Sequence, residues 1–329
     1  MIAAGSPLAW LDRARALLSP AERALFLSLP RLGLTLLKYP LDRARGRAEP
    51  DGSPDLEARD EALVELAVDL VRAVGRHYFR LRVSGIEHMP AEGPVLLVGN
   101  HSGGLLPLEG LFTGQAVYDH FSKRRRIYGL VHEVLYHDDV MRGLARRLGM
   151  LRAGHDSAHA AFAAGHAVLV YPGSDVDAFR PFGDRHRIEL AGRKGFLRLA
   201  LAAGVPIVPV VTTGTHEQLI VLSRGDWLSR TLASRKLLRT DVLPLVFSLP
   251  WGIAPGFLPY LPLPAQTTIA FGPALRWPDL GRESAADPVA LERCYRDVER
   301  VMQAMMDEQA EGRRFLVGKP TVRTRGGRS

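Results

Sequence analysis

Cysteine is almost missing from this chain: its 329 residues hold one, Cys294. A single thiol can neither close an internal disulfide nor build a thiolate metal cluster within one chain, and it fits a reducing compartment. The segment Met1 to Ala9 lacks the basic region and apolar stretch of a secretory signal, so export is not expected. Acidic residues are missing from the far end, where Gly312 to Ser329 carry six basic side chains and no carboxylate. The chain as a whole has a net charge of +8, which leaves the first 311 residues at +2. A body so close to neutral argues against a duplex-binding domain, and no nucleic-acid partner is expected.

Several chemical signatures are missing as well. The chain has no Gly-x-Ser-x-Gly elbow, no P-loop and no dinucleotide fingerprint, which removes the usual support for hydrolase, NTPase and dehydrogenase readings. His132 and His137 stand five apart, one residue too far for a zinc-protease helix, and the His155/His159 pair has no glutamate between its members. No metal and no resident cofactor are expected.

At 47% hydrophobic and 24% charged residues, the composition is that of a globular protein. Three regions are expected: 1–60, a basic and apolar segment with a linker; 61–311, the main domain; and 312–329, a basic disordered tail. Within the first, Ala24 to Leu37 is an apolar island too short to span a bilayer, suited either to a membrane surface or to packing on the main domain. Arg43 to Asp60, rich in charge, Pro and Gly, reads as the linker.

From Glu61 to Phe79, Leu63, Leu66, Ala67, Leu70, Val71 and Val74 recur at helical spacing. Short β-rich runs follow at 81–86, 94–98, 127–131, 167–171, 207–211 and 267–271, with helical stretches at 140–148, 157–164 and 193–203. This alternation predicts an α/β fold, a single domain with a central, mostly buried sheet flanked by helices. A last helix is predicted over 288–309, started by Asp287-Pro288. Val242 to Leu275 holds 34 residues without a charge, seven of them proline, so a transmembrane helix is not expected there. Its Trp251, Phe257 and Tyr260 suit an acyl-chain tunnel or a membrane interface, against the plainer reading of a buried loop. The basic residues just upstream (Arg224, Arg230, Arg235, Lys236 and Arg239) favour anionic headgroups.

The strand Val95 to Val98 runs into Gly-Asn-His-Ser-Gly-Gly, which sets His101 at a C-terminal strand edge, where α/β folds keep their sites. The plainer reading is a loop histidine that caps the next helix. A second strand runs into Tyr171-Pro172-Gly173-Ser174-Asp175-Val176-Asp177, then Arg193-Lys194-Gly195-Phe196 opens a helix, and Gly204-Val205-Pro206 enters another strand. In this order and spacing the pieces resemble the glycerolipid acyltransferase family over about Arg80 to Pro273. They come closest to its phytyl-ester and diacylglycerol-forming branch, whose middle motif runs Pro-Gly-Gly, two residues, Glu.

The resemblance implies an O-acyltransferase that moves a fatty acyl group from a thioester, acyl-CoA or acyl carrier protein, to a lipid hydroxyl. With the missing secretory signal and the basic residues beside the uncharged segment, a cytoplasmic location is expected, peripheral on the inner face of a membrane. His101 matches the family's general base, and the N–H groups of Gly103 and Gly104 would serve an oxyanion if they open a helix. Asn100, Ser102, Pro172, Gly173, Ser174, Asp177 and Arg152 match positions that would bind substrate, although Arg152 also reads as a solvent-exposed arginine. Lys123 to Arg126 is a solvated basic run or a partner for phosphates.

Two departures matter. The position of the family's orienting aspartate is Leu106, so Glu109 is the candidate to reach back to His101, against a plain surface glutamate at a helix start. In the middle motif Asp177 takes the Glu position and Ser174 the second Gly. An acidic loop there would disfavour a phosphate-bearing acceptor. The competing reading is a catalytically reduced lipid-binding protein that uses the same pocket.

Overall fold

The computed structural model describes residues 7–20, 54–104, 106–226 and 242–320. The apolar island at 24–37, most of the linker, the basic residues from Arg230 to Arg239 and the end of the tail lie outside the described residues.

Helices α1 (Pro7–Leu17) and α2 (Glu61–His77) precede strands β1 (Arg82–Ser84) and β2 (Val95–Gly99). Helix α3 (Leu108–Phe121) leads to β3 (Ile127–Val131), α4 (Asp139–Arg147), β4 (Met150–Arg152), α5 (His155–Ala163), β5 (Ala167–Val170) and the short α6 (Ser174–Ala178). After α7 (Gly195–Ala203) come β6 (Ile207–Thr213), β7 (Ile220–Ser223), β8 (Leu245–Ser248), β9 (Gly252–Pro255), β10 (Thr268–Phe271) and α8 (Pro288–Ala310).

Seven strands form one sheet in the order β1-β10-β6-β2-β5-β3-β4. The run from β6 through β2, β5 and β3 to β4 is parallel, while β10 pairs antiparallel with β6 and parallel with β1. The central strands are apolar along their whole length because both faces are covered. Their period of two divides the core. Leu96 and Val98 join Val168, Ile207 and Val211 against side chains of α5, α7 and α8. Val95 and Leu97 join Leu169, Val208 and Val210 against Phe112, Ala116 and Val117 of α3 and Phe79, just after α2. The result is a three-layer α/β/α arrangement, the predicted fold class.

Helix α2 begins at Asp60, whose carboxylate accepts from the N–H groups of Ala62 and Leu63 and pairs with Arg147 at 2.8 Å. Hydrogen bonding from Arg147 holds that carboxyl below its usual range. The buried stripe of α2 differs from the predicted one: Val64, Val68 and Gly75 face inward, whereas Leu70 and Val74 are exposed. Small Gly75 lets Phe112 and Leu81 approach the helix.

Residues on both sides of 61–311 pack against it. Ala14 and Leu18 bury against Leu63, Leu66 and Leu144, and Arg147 donates to the Leu17 carbonyl at 2.7 Å. At the other end, Arg313 forms a buried pair with Glu217 at 2.7 Å, and Glu217 also accepts the Leu316 N–H at 2.7 Å. The basic tail therefore packs on the domain as far as it is described.

The uncharged segment is not a loop. A second sheet, ordered β7-β8-β9 and antiparallel, uses two of its short runs. Its inner residues Val221 and Val246 pack with Phe179, Leu219 and Tyr260.

Candidate active site

Parallel strands β2, β5, β3, β4 and β6 end on the same edge of the sheet, and five connections meet there: 100–107, 171–173, 132–138, 153–154 and 214–219. His101 stands two residues beyond β2. Its Nδ1 lies in hydrogen-bond contact with Glu109 Oε1, in the first turn of α3. Glu109 is fully buried, whereas the His101 side chain keeps 21% of its surface exposed. One imidazole nitrogen is thus fixed by a carboxylate while the ring still reaches solvent. Glu109 Oε1 also accepts the Ser102 N–H at 3.1 Å, so one carboxylate sets both the ring and the loop that carries it. The start of a helix suits its charge.

The middle loop supports the same histidine from below. Asp177 Oδ2 accepts the His101 backbone N–H at 2.5 Å, and its Oδ1 pairs with Arg180. Asp177 and Arg180 are 0% and 2% exposed. Burial pushes the Arg180 guanidinium down to about 9. Asp175 pairs with Arg193 at 3.2 Å, and Arg193 also donates to the carbonyls of Pro172 and Gly173. Both carboxylates of this loop are matched by guanidinium groups. The expected acidic repulsion of a phosphate therefore does not hold.

Several of the residues predicted to bind substrate are hydrogen-bonded within the chain. Asn100 is fully buried, giving its amide to Thr212 O at 3.0 Å and accepting Thr212 N–H at 2.8 Å, which ties the end of β2 to β6. Ser102 Oγ bonds Thr215 Oγ1 within the core. Gly103 and Gly104 do not open a helix, because α3 starts at Leu108. Gly104 N–H goes to the Ala178 carbonyl at 3.3 Å, which removes it as an oxyanion donor. Both glycines have left-handed φ, +79° and +73°, and a Cβ on Gly104 would lie 2.5 Å from Leu219 Cδ2. Their role is to turn the loop beneath His101. Tyr260 closes it by donating to the Gly103 carbonyl.

Pro172 and Gly173 are buried, and a Cβ on Gly173 would lie 2.1 Å from the Glu189 carbonyl, so this glycine provides close packing. Ser174 is partly exposed at φ +47°. Arg152 ends β4, half-buried and 3.4 Å from Glu133, three strands from β2 on the same edge, a separation of about 14 Å. Three of the four residues in the basic run near β3 are engaged: Lys123 pairs with Glu65 at 2.6 Å, Arg126 with Glu61 at 2.9 Å, and Arg125 is buried on the Gly93 and Gly165 carbonyls.

Sequence reasoning missed two side chains of this site. Tyr171 stacks beside His101 with ring centroids 5.3 Å apart, in the space left by Gly99, where a Cβ would overlap its ring. Burial, then the charge of Glu109, pushes the Tyr171 phenol well above its ordinary value, so it stays protonated. His216 lies buried in the connection after β6, and burial drives its pKa well below the ordinary one. Tyr171 was visible as the residue ending a strand at the same edge. His216 had no local pattern.

Residues 80–213 match the family model described as acyltransferase. An uncharacterized protein of Mycobacterium tuberculosis is 30% identical over 247 residues, 75% of this chain and 66% of that protein. The chain thus spans slightly less than two thirds of that relative's length. Phytyl ester synthase 1, chloroplastic, of Arabidopsis thaliana is 30% identical over 169 residues, 47% of this chain and 23% of the synthase. Among solved structures, a 1-acyl-sn-glycerophosphate acyltransferase from Thermotoga maritima superposes with a TM-score of 0.46 at 15% identity, covering 75% of this chain and 82% of that one.

Proposed function

We propose, from the match of residues 80–213 to the acyltransferase family model, that this chain transfers a fatty acyl group from a thioester to a lipid hydroxyl, with His101 as general base. The observation that carries this reading is the contact of His101 Nδ1 with buried Glu109, which leaves the other ring nitrogen without a partner among the described residues, beside a partly exposed face. With Nδ1–H donating to the carboxylate, Nε2 holds a lone pair. It takes the proton of the acceptor alcohol as the alcohol oxygen attacks the thioester carbonyl carbon. The tetrahedral intermediate then collapses, the C–S bond breaks, and the imidazolium returns the proton to the departing thiolate. The products are an ester and a thiol, and the histidine is restored.

Such base catalysis contributes about 10²–10⁴ in rate. Glu109 holds the tautomer and offsets the imidazolium charge, the part played by the buried acid of a serine-protease triad. The loop from Gly173 to Asp177 acts as a positioning element, since Asp177 grips the His101 backbone and Arg180 grips Asp177. Loss of the family's aspartate at Leu106 favoured a lipid-binding protein without turnover; a carboxylate arriving from Glu109 instead supports the catalytic reading.

Acyl-CoA and acyl carrier protein are the candidate donors, and Arg152 on the same sheet edge is a group to meet an anionic part of donor or acceptor. The acceptor is a lipid alcohol held at a membrane surface, with the enzyme peripheral. No helix among the described residues is long and apolar enough to cross a membrane. Incubation with palmitoyl-CoA or palmitoyl carrier protein, together with diacylglycerol, phytol or lysophosphatidic acid in mixed vesicles, tests the proposal. A new ester with release of thiol is expected; thiol release without ester would make the protein a thioesterase and overturn it.

A further inference from the structure

The small sheet presents two very different faces. Its inner face, with Val221, Val246 and Ala254, closes over the cluster that includes Phe179, Leu219 and Tyr260, and Tyr260 in turn holds the Gly103 carbonyl next to His101. Its outer face carries Leu245 and Phe247 of β8 and Ile253 of β9, all exposed, with Phe247 directly opposite Ile253. Leu249, Trp251 and Leu261 continue the patch around the hairpin end, and Trp251, Ile253 and Leu261 are 53%, 67% and 58% exposed. Single exposed hydrophobes are ordinary, but a contiguous set on one face marks an interaction surface.

We propose that this outer face is the surface by which the protein docks on a membrane, its apolar side chains entering the interface of a bilayer that contains anionic lipid. Three observations choose a bilayer over a second copy of the chain. No charged residue lies between Val242 and Leu275, so β8, β9 and their hairpin bring no charge that would need to be dehydrated or paired on entering lipid. Trp251 sits at the hairpin end with its indole N–H already donated to the Pro259 carbonyl at 2.5 Å, and an amphipathic ring at such a tip suits the headgroup boundary.

Charge supplies the third. β7 packs beside the turn Phe182–Asp184 that leads into Arg185 and Arg187, and Arg224 follows β7. A basic flank beside an uncharged apolar face is complementary to anionic headgroups around acyl chains. Docking here would bring the loop of His101, braced by the same sheet, to the source of its acceptor.

This inference deepens the acyltransferase reading and rests on its lipid acceptor, yet it is tested separately. The full chain is sedimented with vesicles of phosphatidylcholine alone and of phosphatidylcholine with phosphatidylglycerol, alongside the variant F247D/I253D. Wild type is expected to bind the anionic vesicles, and the variant's affinity to fall about tenfold or more, while its transfer to a water-soluble short-chain alcohol is unchanged. Because a surface variant can misfold, the unaltered chain is also mixed with vesicles of brominated lipid, with W251F as control. Quenching that the control loses supports the proposal. Undiminished vesicle binding by the variant, no binding by wild type, or a wild-type dimer that the variant splits would overturn it. None of these results touches the role of His101. Loss of transfer in wild type with vesicle binding intact would instead overturn the enzymatic reading and leave the surface standing.

Discussion

At the scale of residues, the site depends on a carboxylate that approaches His101 from a neighbouring helix. Glu109→Gln keeps the shape of that side chain but lets an amide choose its own hydrogen-bond polarity, so the imidazole loses its fixed tautomer. Turnover is expected to fall about 10²–10⁴-fold with little change in thermal stability; steady-state assays beside a melting curve check it. Gly104→Ala belongs to the same loop but acts through structure. At φ +73° with Leu219 Cδ2 2.5 Å from the new Cβ, it is expected to cost about 1–3 kcal/mol in urea unfolding and to lower activity through the displaced loop. Glu109 was legible in the sequence because it is the nearest acid downstream of His101 and opens a helix. The match of Asp177, on a short helix, to Arg180 just past its end was not, since its value comes from burial and from the His101 N–H reaching Asp177 across 76 residues.

Elements differ in how openly they declare themselves. β2, β3, β5 and β6 are apolar runs bounded by turn residues, and each forms where its run lies, because a strand covered on both faces admits little else. β8 and β9 stayed hidden. Their outer faces are as apolar as their inner ones, so the period-two contrast that marks a half-buried strand is erased, and the surrounding prolines argue for loop. β4 is three residues long and leaves no period to read. The short helix α6 offers the sharpest test at this scale. Arg180→Met leaves Asp177 charged and unpaired in the core, and a loss of about 3–5 kcal/mol is expected in denaturant titration. Asp177→Asn with Arg180→Met, which removes both charges, should recover a substantial part of that loss.

For the whole molecule, the ends of the described chain matter more than composition suggests. The net charge of +8 seemed to sit in a loose tail, yet Arg313 is 1% and Glu217 2% exposed in their pair. Arg313→Met is therefore expected to destabilise the entire domain by about 3–5 kcal/mol, measured by urea unfolding. Acid has a predictable global effect. Burial lowers the pKa of His166, His186 and His216 in the folded protein, from an ordinary 6.5. Unfolded chains then take up protons first as the pH falls. Stability should be full above the ordinary histidine value and decline below it, by at most about 1.4 kcal/mol per pH unit for each histidine until its folded pKa is reached. Unfolding free energies on either side of neutrality check this, and His216→Gln should flatten the slope.

The central claim is that His101 and Glu109 act as one unit in acyl transfer. Its most direct test is a double-mutant cycle in kcat/KM for transfer from an acyl thioester to a lipid alcohol, with His101→Ala, Glu109→Gln and the double variant. The account predicts that His101→Ala removes nearly all turnover above the uncatalysed rate and that adding Glu109→Gln costs almost nothing more, since the acid works only through the histidine. Turnover that survives His101→Ala, or losses that simply add in the double variant, would contradict it.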